Sequence, residues 1–255
     1  IYSTHNTQNN ALTVAGALKV TGTLTGNNST IIIGTDGVNP AIEAGALWVE
    51  SIGSFTFGNG DVTSYGGITA KGTNTLTSSG TGDLYIAGRT NNGMLTSHSN
   101  KGINITGDVI VSYGSNSNFD CRGGPEITCA NFRFTTATTQ TLWNNAAGET
   151  MTITGNLALE HASSELDTQA GVNDVVNLTV TGAIHIDGTL TGNASAISGD
   201  SVHIDGTFTH NGALTVSGIA ATNYAFQNLG TWTPSTSQVT TFTGDGDGTY
   251  HVKSN

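Results

Sequence analysis

Short alternating segments dominate the hydrophobic pattern of the chain. Apolar and polar residues alternate over four to six positions before Gly or Asn interrupts them, as at 12–14, 18–20 and 214–216. A period of two predicts β-strands with one buried and one solvated face. Only 156–166 has a helical composition. We therefore predict an all-β fold with little or no α-helix.

Internal repeats specify the kind of β fold. Thirteen of twenty positions are identical between 12–31 and 178–197, and the segment 184–191 returns 18 residues later as 202–209. One coil of a β-solenoid contains two or three short strands with turns, which takes about 18–22 residues. An antiparallel sandwich is the structural alternative, but it does not predict this short repeat.

The predicted fold is therefore a parallel β-helix of about twelve rungs that forms a single domain over 1–255. Two related halves lie at about 11–63 and 177–240. A less regular middle lies at about 85–150, where we expect a loop insertion around the two cysteines. Because the chain starts at Ile1 and shows no signal peptide, we expect a mature, processed chain or a segment of a longer one.

Composition fits a solenoid and excludes some partners. The chain has 35 Gly, only 10% charged residues and a formal net charge of −11. Gly supplies tight corners, and stacked Thr and Ser avoid like-charge repulsion between layers. Nucleic acid is not an expected partner, because phosphate neutralisation needs clustered Lys and Arg. A membrane span is not expected either, because the apolar runs are far shorter than about 20 residues.

The repeated unit also resembles known modules. The pattern Leu-Thr-Val-x-Gly-x-Leu-x-Val-x-Gly-Thr-Leu-Thr at 12–25, with its copy at 178–191, is similar to β-solenoid repeats of bacterial and archaeal surface proteins, adhesins and extracellular fibre subunits. The segment 232–244, with its aromatic-Thr-Pro start, resembles the segment that often follows these repeats. The resemblance implies a secreted structural or adhesive protein, outside the cell or on its surface, and it transfers no catalytic residue.

We therefore predict a structural subunit of an extracellular filament, for example in a biofilm, whose main partner is another copy of the same chain. Open strand edges at the two ends of a solenoid invite pairing. The predicted polymer interface comprises Ile1, Tyr2, Thr249, Tyr250, His251 and Val252.

Three alternatives stay open. A phage tail fibre or spike has a similar composition. An adhesin module that binds surface glycans predicts an aromatic cluster near Trp48, Trp143 or Trp232. An ice-binding solenoid predicts Thr-x-Thr arrays, which occur at 23–25, 73–75, 189–191 and 207–209.

An enzyme is not expected, and no cofactor is. The 18 acidic residues are spread out, whereas glycoside hydrolysis needs a pair of close carboxylates. No nucleophile, zinc-protease or phosphate-loop motif occurs.

Three smaller candidate sites each have a structural alternative. Cys121 and Cys129 suggest a local disulfide and an oxidising compartment, or else two buried thiols. Asp245 and Asp247 suggest a weak calcium loop, or else a plain turn. Histidines and aspartates spaced 18 residues apart suggest a metal-binding or proton-sensitive ladder, or else an exposed polar ladder; they are His185, Asp187, His203 and Asp205.

Overall fold

The computed structural model describes most of the chain, in twelve separate ranges. The described residues are 11–34, 47–49, 53–70, 76–88, 95–97, 103–112, 117–120, 126–143, 149–169, 175–218, 224–244 and 252–254.

These residues contain 31 short strands, which form three sheets, and no helix. The first sheet contains, in spatial order, β1 (Leu12–Val14), β4 (Ile31–Ile33), β7 (Val62–Ser64), β10 (Leu84–Ile86), β13 (Val109–Val111), β16 (Asn131–Phe134), β19 (Asn156–Leu159), β22 (Ala183–Ile186), β25 (Ser201–Ile204), β28 (Phe226–Asn228) and β31 (Val252–Ser254).

The second sheet contains β2 (Leu18–Val20), β5 (Leu47–Val49), β8 (Ile68–Ala70), β11 (Leu95–Ser97), β14 (Ser117–Asp120), β17 (Thr138–Trp143), β20 (Ser164–Asp167), β23 (Thr189–Thr191), β26 (Thr207–Thr209) and β29 (Thr231–Thr233). The third sheet contains β3 (Thr23–Asn27), β6 (Ser54–Phe57), β9 (Leu76–Ser78), β12 (Ile103–Asn104), β15 (Glu126–Thr128), β18 (Glu149–Ile153), β21 (Val176–Val180), β24 (Ile197–Gly199), β27 (Leu214–Val216) and β30 (Thr240–Phe242).

The strand order confirms the predicted parallel β-helix. The chain visits the three sheets in turn, and each strand pairs in parallel with the strands three before and three after it, as β4 does with β1 and β7. The 18-residue repeat is one coil stacked in register, because Ile184 pairs with Val202.

The described part contains eleven layers in the first sheet and ten in each of the others, against about twelve predicted. The difference arises from coil length. The shortest coil joins paired residues 17 positions apart, Ile197 and Leu214, whereas the longest joins Ile31 to Val62, 31 positions apart. Longer coils leave fewer layers for the same chain.

A single apolar core runs along the inside of the three sheets. Alternate residues of each strand point into it, so equivalent positions in successive coils form stacked columns. One such column is completely or almost completely buried and includes Ile31, Val62, Leu84, Val109, Phe132, Leu157 and Ile184. Burial of each such side chain contributes about 1.5–3 kcal/mol.

The segment with helical composition forms two strands, β19 and β20. Leu157 and Leu159 alternate with outward residues and stack in register on Phe132 and Phe134. Burial against the preceding layer therefore overrides a weak helix propensity. The middle of the chain also continues the coil order from β10 to β18. Val109 and Phe132 are paired 23 positions apart, so no insertion lengthens the coil that contains the cysteines.

Candidate functional site

Among the described residues, each end of the solenoid presents three strands that have a neighbouring strand on one side only. They are β1, β2 and β3 at one end and β29, β30 and β31 at the other. The large apolar side chains that are exposed in the described residues all lie in these end coils: Leu12 is 44% exposed, Leu229 39% and Val239 70%. Open edges beside apolar surface are the feature by which sheets pair with another chain.

The core at the C-terminal end is aromatic and incompletely covered. The ring centroid of Phe226 lies 4.6 Å from that of Trp232 and 5.8 Å from that of Phe242. Trp232 and Phe242 pack against the core but stay partly exposed. Trp232 stacks in register on the buried Phe208, so it faces inward rather than forming an outward sugar platform. The side chains of Trp48 and Trp143 lie outside the described set.

An outward array of threonines covers part of the second sheet. Three successive coils place Thr-x-Thr strands in register, with the middle residue turned inward. Leu190 and Phe208 at these middle positions are completely buried. The paired threonines are Thr189, Thr207 and Thr231 in one column and Thr191, Thr209 and Thr233 in the other. The 73–75 motif lies outside the described residues.

A ladder of aspartate and asparagine side chains runs along one corner, ahead of the strands of the first sheet. Each side-chain oxygen accepts a hydrogen bond of 2.8 or 2.9 Å from the next layer, either from a backbone N–H or from an asparagine side-chain N–H. The residues in order are Asp61, Asp83, Asp108, Asn131, Asn156 and finally the N–H of Ala183. This ladder was not identified from the sequence. Its corners nevertheless share a three-residue pattern, in which Gly or Ala is followed by Asp or Asn and then by an apolar residue.

Charge in the ladder is only partly compensated. Burial raises the pKa of Asp83, a hydrogen bond from the backbone of Asp108 lowers it, and the nearby carboxylates of Asp108 and Asp61 raise it. Arg133 binds Glu160 through two hydrogen bonds of 2.6 and 2.7 Å and Asp108 through one of 3.0 Å. These bonds hold the pKa of Arg133 above its usual value. The ion pairs tie adjacent layers together.

The histidines and aspartates spaced 18 residues apart do meet on adjacent layers. His185 and His203 pair in register and their rings stack with centroids 6.2 Å apart. The Nε2 atom of His185 lies 2.8 Å from Oδ1 of Asp187 and 3.8 Å from Oδ2 of Asp205. One nitrogen and two carboxylate oxygens therefore lie within 4.8 Å of one another.

The backbone fixes both aspartates at the same corner. The N–H groups of Asp205 and Gly206 both donate to the carbonyl of Ile186, at 2.9 and 2.7 Å. A Cβ on Gly206 would lie 2.0 Å from the carbonyl oxygen of Gly188, which is closer than any side chain tolerates. The two Asp-Gly corners therefore stack at the closest distance that glycine permits.

Several predicted sites fall outside the described residues, so the predictions for them stand untested. These are Cys121, Asp245 and Asp247, and the interface candidates Ile1, Tyr2, Thr249, Tyr250 and His251. Val252 lies in β31, the last strand of the first sheet, and pairs with Phe226. Cys129 is buried in the core, and burial raises the pKa of its thiol to about 12. Cys129 is a free cysteine in this structure, which therefore gives no support to the predicted disulfide with Cys121, a residue outside the described set.

Comparison of the chain with protein-family models, with curated proteins and with solved structures finds no match. Within the described ranges no helix is long and apolar enough to cross a membrane.

Proposed function

We propose that this protein is the structural subunit of an extracellular filament or cell-surface fibre, and that its copies stack head to tail through the two ends of the solenoid. The observation that carries the proposal is that the described part of the chain has three edge strands and exposed apolar side chains at each end. The faces between the ends consist of strands paired on both sides, so they offer no comparable edge.

The direction of the strands favours head-to-tail contact. All pairings between the strands of the three sheets are parallel, so a second copy in the same orientation continues each ladder with the geometry of the interior. Such a contact joins two different surfaces and does not close on itself, which gives a filament. An added layer also covers the partly exposed core at the C-terminal end, where Trp232 and Phe242 lie.

The hydrogen-bond pattern identifies the backbone groups that point out of each end. In β1, Leu12 N–H donates to Thr30 and the carbonyl of Val14 accepts from Gly34, so alternation leaves the N–H of Thr13 on the open side. In β30, the carbonyl of Val239 accepts from Leu214 N–H, which by the same alternation leaves the N–H of Thr240 on the open side.

Proline at either position tests the proposal, because it removes the outward N–H without removing a bond of the existing ladder. We expect Thr13→Pro or Thr240→Pro to weaken association about 10- to 100-fold, as loss of about 1–3 kcal/mol implies. Thr13→Val and Thr240→Val keep the N–H and serve as matched controls. Filament length is measured by negative-stain electron microscopy, and mass by light scattering.

Mixing the two proline variants distinguishes head-to-tail from head-to-head contact. Each variant alone has one weakened end, so neither should form head-to-tail filaments at a protein concentration that is only just sufficient for the unmodified chain. A one-to-one mixture should form discrete dimers through the two unmodified ends. Dimers of Thr13→Pro alone would indicate contact between two C-terminal ends. Filaments of unchanged length in both variants would refute the proposal.

A second function is favoured by the threonine array of the second sheet. As the alternative, we propose that these six outward threonines, regularly spaced over three layers, bind an ordered lattice such as ice. The measurement is thermal hysteresis of the purified protein. Activity that is lost in Thr207→Lys and kept in Thr56→Lys, on the third sheet, would support ice binding. Absence of hysteresis in the unmodified protein would refute it.

A further inference from the structure

We propose that His185, Asp187 and Asp205 form a binding site for a divalent cation of the zinc class, which joins two adjacent coils of the solenoid. His185 and Asp187 belong to one coil and Asp205 to the next. The site lies on the outward side of the first sheet, away from the core and from both ends. It is therefore independent of the proposed filament contact.

The three donor atoms have the separations that such an ion requires. The distances from the histidine nitrogen to the two carboxylate oxygens are 2.8 and 3.8 Å, and no pair of the three atoms exceeds 4.8 Å. A point at most about 2.4 Å from all three atoms therefore exists, against about 2.0–2.2 Å for zinc bonds to nitrogen and oxygen. Side-chain shifts of a few tenths of an ångström complete the fit.

Charge gives a second reason for a cation here. Like charges stacked on adjacent strands are unfavourable, yet Asp187 and Asp205 follow strands β22 and β25 at the same corner. Elsewhere on this face the acidic groups have cationic or N–H partners, such as Arg133 for Glu160 and Asp108. Among the described residues, the side chains of Asp187 and Asp205 share His185 as their partner, at 2.8 and 3.8 Å, and neither has a Lys or Arg partner. A bound divalent cation neutralises the pair.

The donor set also selects the ion. One imidazole nitrogen and two carboxylate oxygens suit zinc, copper or nickel, whereas calcium takes six to eight oxygens. The side chains are 36–48% exposed, so water completes the coordination and the ion exchanges readily with solvent. Because the ion bridges two coils and binds only when they are stacked, its binding stabilises the folded state.

Zinc titration of the full chain by isothermal calorimetry tests the site. We expect His185→Ala and Asp205→Asn each to weaken zinc binding about tenfold or more. His203→Ala is the matched control, because it removes a partly exposed histidine of the adjacent layer that is not among the three converging donors. We expect it to change the affinity less than about threefold, since all three proposed ligands remain.

A stability measurement gives an independent readout. Zinc should raise the thermal midpoint of the unmodified chain and of His203→Ala, but not that of His185→Ala, and calcium at the same concentration should not. The far-ultraviolet circular dichroism of each variant without zinc checks that it folds. An affinity in Asp205→Asn equal to that of the unmodified chain, an equal loss in His203→Ala, or no zinc-dependent heat or shift would overturn the proposal.

Discussion

The segments 12–31 and 178–197 share thirteen of twenty residues but occupy different faces of the solenoid. The first copy places β1, β2 and β3 in the first, second and third sheets. The equivalent strands of the second copy, β21, β22 and β23, lie in the third, first and second sheets. The repeated unit therefore specifies strands and turns, and it fits any of the three faces.

The two copies also differ in burial. Leu12 is 44% exposed, whereas its equivalent Leu178 is completely buried. Leu12 lies on an edge strand with one neighbour, while Leu178 lies between β18 and β24. The adjacent coils, rather than the residue or its local pattern, decide how much apolar surface is removed from water.

The equivalent glycines of the two copies show which close contacts arise within the repeat and which come from the preceding coil. A Cβ on Gly26 or on its equivalent Gly192 would meet the tip of an isoleucine within the same repeat, at 2.6 and 2.7 Å. By contrast, a Cβ on Gly22 would meet no described atom within 4 Å. A Cβ on its equivalent, Gly188, would lie 2.2 Å from the carbonyl oxygen of Ser164 in the preceding coil.

The largest expected difference comes from truncating the equivalent leucines. Leu178→Ala should lower the free energy of unfolding by about 2–5 kcal/mol, because it leaves a cavity in a closed core. Leu12→Ala should lower it by less than about 1 kcal/mol, because the side chain is already partly solvated. Urea denaturation followed by circular dichroism measures both. Equal losses would show that the end coil is covered in solution.

A smaller difference is expected from alanine at the equivalent glycines. Gly188→Ala should cost about 2–3 kcal/mol, because the clash is with backbone and two coils must move apart. Gly22→Ala should be neutral, or stabilising by up to about 1 kcal/mol, because alanine reduces the entropy of the unfolded chain. The same denaturation experiment measures both variants. Destabilisation by Gly22→Ala as large as that by Gly188→Ala would contradict this interpretation.

The smallest expected effect concerns the side chain that packs from the next coil against an equivalent glycine of each copy. His210 lies above Gly192, where Phe57 lies above Gly26. Its ring is completely buried and stacks against the rings of Phe208 and Trp232. Burial lowers its pKa below 6.5, although a hydrogen bond with the carbonyl of Gly212 opposes the shift.

Because the folded state holds His210 neutral, the unfolded state binds more protons as the pH falls below 6.5. The stability that the neutral ring contributes is present above this pH and is lost as the pH falls through the lowered pKa. His210→Phe should remove this loss, which denaturation at pH 7.5 and pH 5 would reveal. An identical pH dependence in both proteins would assign the loss to other groups.

Much of the fold could be predicted from the sequence, because its signals are local. The alternation at Leu12–Val14 and Leu214–Val216 predicts strands, and the 18-residue spacing of His185 and His203 predicts two stacked layers. The corner ladder was missed although its residues were visible, because coil lengths of 22 to 25 residues hide its period. The helical composition of 156–166 misled because burial against a neighbouring layer outweighs propensity.

By itself, the sequence determined that this chain forms short strands with tight corners and one inward face, since side-chain alternation and glycine act within a few residues. Only the tertiary structure decided which face each strand occupies, how many layers form, which of two equal leucines is buried, and that His185, Asp187 and Asp205 converge. These properties depend on the strand one coil away. The number of residues in each coil decides which strand becomes that neighbour. This number varies from coil to coil, and no local sequence pattern indicates it.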